Sequence, residues 1–180
     1  YIDQIALVEN VARSLPMTFK LYVKEAPTMV GFRPISDYQR LLKMPNIRLI
    51  DPSIRSFELI KNARIVITIT GTAGLEALLL KKPVITFGRV FYNKLDMVRK
   101  AKSITSLPEL IRDTLENYNH DEEQLVKFIT AVFEGSFSAM HCDVAAQESV
   151  EKTIAHPYFN AILNALAEEM HLKPLAPQRK

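Results

Sequence analysis

Residues 68–88 read TITGTAGLEALLLKKPVITFG. An apolar, β-branched run enters a corner of small residues, a helix-forming stretch follows, and a second apolar run closes the unit. This is the pattern of a strand, a helix and a parallel strand. The chain has five glycines, and two of them, Gly71 and Gly74, stand at this corner. Glu76 is the only charge between Arg64 and Lys81. Two readings fit. Glycine permits close packing where a strand turns into a helix. The free N–H groups at a helix start, with the positive end of its dipole, also form a seat for an anion.

The same alternation extends on both sides. Upstream, YIDQIALVENVARSLP has Ile5, Val8, Val11 and Ala12 near helical spacing, with Pro16 beyond the end. FKLYVKEA (19–26) and NIRLID (46–51) read as strands. PISDYQRLLKM and SIRSFELIKNA read as helices, the first with Ser36 or Asp37 as its cap. RIVITIT (64–70) and PVITFG (83–88) complete four strands in about seventy residues. Short connections between alternating strands and helices predict an α/β domain with a parallel sheet and flanking helices. After residue 107 the strand pattern stops. LPELIRDTLENY and HDEEQLVKFITAVFEGSF read as helices, and Tyr158, Ile162, Leu166 and Met170 fall at i, i+4 spacing near the end. The expected organisation is an α/β domain over 1–106 and C-terminal helices over 107–180, packing on it or on a missing N-terminal half.

Composition sets outer limits. At 180 residues, with 48% hydrophobic and 24% charged, the chain has the balance of a soluble globular protein. No apolar run approaches the ~20 residues of a membrane span. A single cysteine, Cys142, excludes an internal disulfide and fits a reducing compartment. Cytoplasm is the expected location, with peripheral attachment to an inner membrane left open. The chain begins at Tyr1, which suggests a piece of a longer protein. Residues 1–88 carry 12 Lys/Arg against 7 Asp/Glu, whereas residues 89–180 carry 11 against 13. A basic first half suits a small anionic ligand better than a nucleic acid, which favours a continuous basic stripe.

In an open parallel sheet, ligands bind beyond the carboxyl ends of the strands. The loop after Thr70 is the richest such place. It lacks the Gly-Lys-Ser/Thr of a P-loop and is not a GxGxxG fingerprint. Thr70 and Thr72 offer hydroxyl donors. With Thr72 as cap, Glu76 is one position late for a capping box. A carboxylate there is suited either to the helix dipole or to a ribose diol. Lys24 at the end of the first strand and Arg33 in the Gly-Phe-Arg-Pro turn are candidate phosphate contacts, or ordinary solvated cations. The four histidines, His120, His141, His156 and His171, have no metal-ligand spacing. His141-Cys142-Asp143 has no glycine-rich turn around it to suggest a nucleophile.

The stretch RIVITITGTAGLEALLLKKPVITFG, with NIRLIDPSIRSFELIKNA and YVKEAP before it, resembles the nucleotide-sugar-binding C-terminal half of GT-B glycosyltransferases. It is most similar to the capsule polysaccharide biosynthesis group, which includes Kdo transferases. The resemblance covers about residues 19–95. It implies a Rossmann-like half of a GT-B fold with a helical C-terminal extension. It also implies Thr70, Gly71, Thr72 and Ala73 at the donor phosphate, Glu76 near the ribose or sugar, and Phe91 or Tyr92 of GRVFYN near the base. Lys24 and Glu25 fall at the strand end where similar proteins carry a His-Pro pair. Here that pair is Ala26-Pro27, and alanine supplies neither a proton nor a hydrogen bond. The implied substrates are a CMP- or UDP-linked sugar, with no separate cofactor or metal, and a glycan acceptor. A missing N-terminal half or an oligomer partner would carry the acceptor site. Two alternatives stay open: a nucleotide-sugar 2-epimerase on the same scaffold, and a non-catalytic module that only binds.

Overall fold

The computed structural model describes residues 3–26, 29–135 and 164. It is an α/β protein. In chain order the elements are α1 (Gln4–Ser14), β1 (Leu21–Lys24), α2 (Ile35–Leu42), β2 (Ile47–Ile50), α3 (Ser56–Asn62), β3 (Val66–Thr68), α4 (Ala73–Leu79), β4 (Val84–Thr86), β5 (Val98–Lys100), α5 (Leu107–Asn117) and α6 (Glu122–Glu134). A 3-10 turn, Phe91–Lys94, lies between β4 and β5. The chain divides into two compact units, residues 1–126 and 127–180. Both sheets, α1 to α5 and every candidate site residue lie in the first. The histidines and the cysteine beyond residue 135, and the Tyr158–Met170 stripe, lie outside the described residues.

All strand pairs are parallel, as the alternation requires. They form two sheets rather than one. β1 pairs with β2, Leu21 opposite Ile47 through Lys24 opposite Ile50. β3, β4 and β5 form the second sheet, with β4 at its centre. The strands are only three or four residues long. β5 was not apparent in the sequence, because two of its three residues are Arg99 and Lys100. Two hydrophobic clusters organise the unit. One joins Leu7 and Val11 of α1, Ile85 and Phe87 at β4, Ala101, and Leu107 and Ile111 of α5. The other joins Ile5 and Ala12 of α1 to Leu41 and Ile47. Leu21 of β1 packs against both clusters, whereas Leu49 of β2 packs only against the second. β1 is therefore the strand of its sheet that turns toward β3–β5.

Helix α1 serves both clusters, and this explains its one buried charge. Asp3 caps it, accepting from the Ala6 N–H at 2.9 Å. Glu9 is buried, with 8% of its surface exposed, and Arg40 of α2 answers it with two hydrogen bonds of 2.6 and 2.7 Å. The paired arginine lowers the Glu9 carboxyl, against the opposing effect of burial. The expected cap of α2 is not realised. Pro34 occupies the cap position without a side-chain bond, and Asp37 in the first turn instead faces Arg33 at 3.7 Å. No helix among the described residues is long and apolar enough to cross a membrane.

Candidate functional site at the carboxyl edge

β3 ends at Thr68, and its pairing with β4 continues into the loop: the Phe87 N–H donates to the Thr68 carbonyl and the Gly88 N–H to Ile69, at 3.0 and 2.8 Å. The Thr68 hydroxyl oxygen accepts the Gly71 N–H at 3.0 Å, which turns the chain toward α4. Thr72 stands at the cap position but makes no capping bond. Its hydroxyl lies 3.5 Å from a Glu76 carboxylate oxygen. The first turn of α4 therefore keeps N–H groups without a side-chain acceptor. Thr70, Gly71 and Thr72 are exposed, and Ala73 and Glu76 are half-buried. The helix ends on Lys81, which adopts the left-handed conformation (φ 57°) more usual for glycine, while the Lys82 N–H closes on the Ala77 carbonyl at 2.8 Å.

Two glycines here have steric reasons. A methyl group on Gly74 would come within 2.2 Å of the Tyr92 hydroxyl oxygen, and one on Gly88 within 2.4 Å of the Thr70 methyl and 2.8 Å of the Ile69 carbonyl. The corner is thus tightly packed underneath and open above. Tyr92, expected near a base, is fully buried beneath the loop and donates to the Gly71 carbonyl at 2.6 Å. Phe91 beside it is the exposed ring, set edge-on to Tyr92 at 5.3 Å. Asn93 contributes where sequence reading had not singled it out. It accepts from the buried Thr86 hydroxyl and donates to the Gly88 carbonyl, both at 2.8 Å.

At the end of β1 the structure brings Glu25 and Arg33 together. Arg33 Nε donates to Glu25 at 2.9 Å, another of its nitrogens donates to Gln4 at 2.9 Å, and Asp37 stands at 3.7 Å. Tyr38 donates a very short hydrogen bond to the other Glu25 oxygen. The Arg33 guanidinium is thus occupied by the Glu25 and Asp37 carboxylates and the Gln4 side-chain amide. The Lys24 ammonium donates to the Glu25 carbonyl at 3.4 Å and lies near enough to Asp51, just after β2, to help lower that carboxyl after the dominant hydrogen bonds from Ser53. Ala26 is exposed and offers no side-chain chemistry. Tyr38 was legible as a residue of a helix but not as a partner of Glu25, since pairing across a loop leaves no periodic signature.

The Glu25 ion pair carries a pH dependence. Burial alone would raise this carboxyl, but the hydrogen bonds from Tyr38 and Arg33 and the charge of Arg33 outweigh it, and the net shift is downward. A carboxylate lowered in the folded state contributes stability above its unfolded value, about 4.3, and loses it as pH falls through the folded value. Glu25→Gln is therefore expected to flatten the fall in melting temperature below about pH 4.3. Thermal melts of both proteins between pH 7 and 3 measure this, and parallel acid limbs would exclude the role.

These elements define a Rossmann-like α/β half-domain of parallel strands and flanking helices. Residues 3–107, more than half of the chain, match the capsule polysaccharide biosynthesis protein family, and the chain belongs to that family. Among its relatives is Protein FixF of Sinorhizobium fredii, 34% identical over 127 residues, which are 68% of this chain and 29% of that protein. The chain thus spans less than a third of that relative's length. No solved structure matches it.

Proposed function

We propose that this chain is the donor-binding half of a glycosyltransferase that moves a sugar from a nucleotide-sugar to a bacterial surface polysaccharide. The observation that carries this reading is the Thr70–Ala73 corner, exposed at Thr70, Gly71 and Thr72. It belongs to a capsule polysaccharide biosynthesis chain, lies at the carboxyl edge of a parallel sheet, and opens an α-helix whose first turn has no side-chain cap. The chemistry asked of it is modest. N–H groups of the loop and the Thr70 and Thr72 hydroxyls would stabilise charge on the departing nucleotide phosphate. Glu76, one turn further, would accept from sugar or ribose hydroxyls. A general base and the acceptor site would come from another part of the full-length protein. With Arg33 engaged by Glu25, Lys24 would be the cation at the β1 end to meet a phosphate.

Ala26 favours a second reading, a module that binds a nucleotide-sugar without turning it over, because alanine at that position supplies neither a proton nor a hydrogen bond. Both readings require nucleotide binding. Calorimetric titration with CMP, UDP and GDP is expected to single out one base. Glu76→Ala and Thr72→Val should each weaken it by roughly 10-fold, the scale of one hydrogen bond to a charged group at about 1.5 kcal/mol. Equal affinity for all three, or no binding by a folded protein, would withdraw the donor site. Given selective binding, turnover by the full-length protein separates the transferase from the module.

A further inference from the structure

The Tyr92 hydroxyl spans 21 residues of sequence to reach the Gly71 carbonyl at 2.6 Å. That carbonyl also accepts the Gly74 N–H, at the longer distance of 3.2 Å. A trans peptide is planar, with its C=O and N–H pointing to opposite sides. The Gly71–Thr72 peptide turns its carbonyl inward onto a fully buried ring, so the Thr72 N–H is directed away from the core. Gly71 and Thr72 are both exposed. Burial pushes the phenol pKa up, so Tyr92 stays protonated and able to donate at ordinary pH.

We propose that Tyr92 is a positioning residue: its hydroxyl fixes the Gly71–Thr72 peptide in the orientation that presents the Thr72 N–H to a ligand. Gly74 is the residue that makes room for it. The need is local, because Gly71 has no side chain to restrict its own backbone. Remove the hydroxyl, and only the longer Gly74 bond holds the carbonyl inward. What binds above the loop rests on the donor-site reading; the orientation of the peptide does not.

Tyr92→Phe tests this, since it keeps the ring and deletes only the hydroxyl. Amide spectra and hydrogen exchange of the 15N-labelled chain are expected to change at Gly71, Thr72 and Gly74, with Gly74 exchanging about 10-fold faster. Amides of β4 and α5 should keep their wild-type rates. A purely structural role would instead speed exchange throughout the unit. Affinity for whichever of CMP, UDP or GDP the wild type binds should fall about 10-fold. Loop amides that match the wild type would overturn the proposal, as would a perturbed loop with unchanged nucleotide affinity. If the wild type binds none of the three, the donor-site reading fails, and the amide comparison alone decides whether Tyr92 orients the loop.

Discussion

Ile111→Ala is expected to lower the stability of the first unit by about 3–4 kcal/mol, within the range found for large-to-small substitutions in closed cores. For a chain of this size that corresponds to a fall in melting temperature of roughly 6–16 °C. Ile111 lies on α5 and is fully buried in the cluster that also holds Leu7 and Val11 of α1 and Ile85 and Phe87 at β4. Two helices and the central strand of the larger sheet thus surround one side chain. A cavity bounded on three sides by different elements closes poorly, which places the cost in the upper part of the range. Arg112→Ala, at the exposed neighbouring position, should change stability by less than about 0.5 kcal/mol. Thermal or urea unfolding of the three proteins makes the comparison. An Ile111→Ala protein within 1 kcal/mol of wild type, on the scale of surface changes, would mean that α5 is an appendage and that the sheet's core closes without it.

The strands legible in the sequence are those made of apolar, β-branched residues, and this has a physical cause. Val84, Ile85 and Thr86 are fully buried at the centre of the larger sheet, so every position had to suit the interior. β5 lies at the sheet edge, where only Val98 is buried, and its two cations hide it. The division into two sheets was not legible either, because it depends on which short strands reach one another. The same holds for the site. That Gly71 and Gly74 mark a special corner follows from their place in a β-α-β unit. That Tyr92 fills the space beneath Gly74 does not, since no local pattern links residues 18 positions apart. Arg33 and Glu25 were each visible as charges. Their pairing needed the turn through Gly31, which holds φ 85°, to bring the arginine back over the strand end. Residue types at a site can be read from sequence; which of them are already occupied by one another cannot.

Gly74→Val decides between the two meanings of the glycines in this corner. The substitution is expected to cost about 1.5–3.5 kcal/mol, from three unequal effects. Overpacking a full interior costs about 1–3 kcal/mol, and here the clash is severe: a β-carbon would sit 2.2 Å from the Tyr92 hydroxyl oxygen and 2.7 and 2.9 Å from two ring carbons. A displaced Tyr92 also gives up its bond to the Gly71 carbonyl, about 1 kcal/mol. Against this, leaving glycine in a helix regains about 0.5 kcal/mol, because valine is a somewhat better helix former. Sterics therefore win. The cause is checked by repeating the substitution in a Tyr92→Leu background, where the clashing atoms are gone. If contact with Tyr92 is the reason, the added cost there should drop below about 1 kcal/mol, a coupling large enough to measure by unfolding. An equal cost in both backgrounds would mean that Gly74 is needed for its backbone and not for the space above its α-carbon. The close-packing meaning would then pass from Gly74 to Gly88, whose β-carbon would meet the Ile69 carbonyl, a backbone atom that no side-chain change can move.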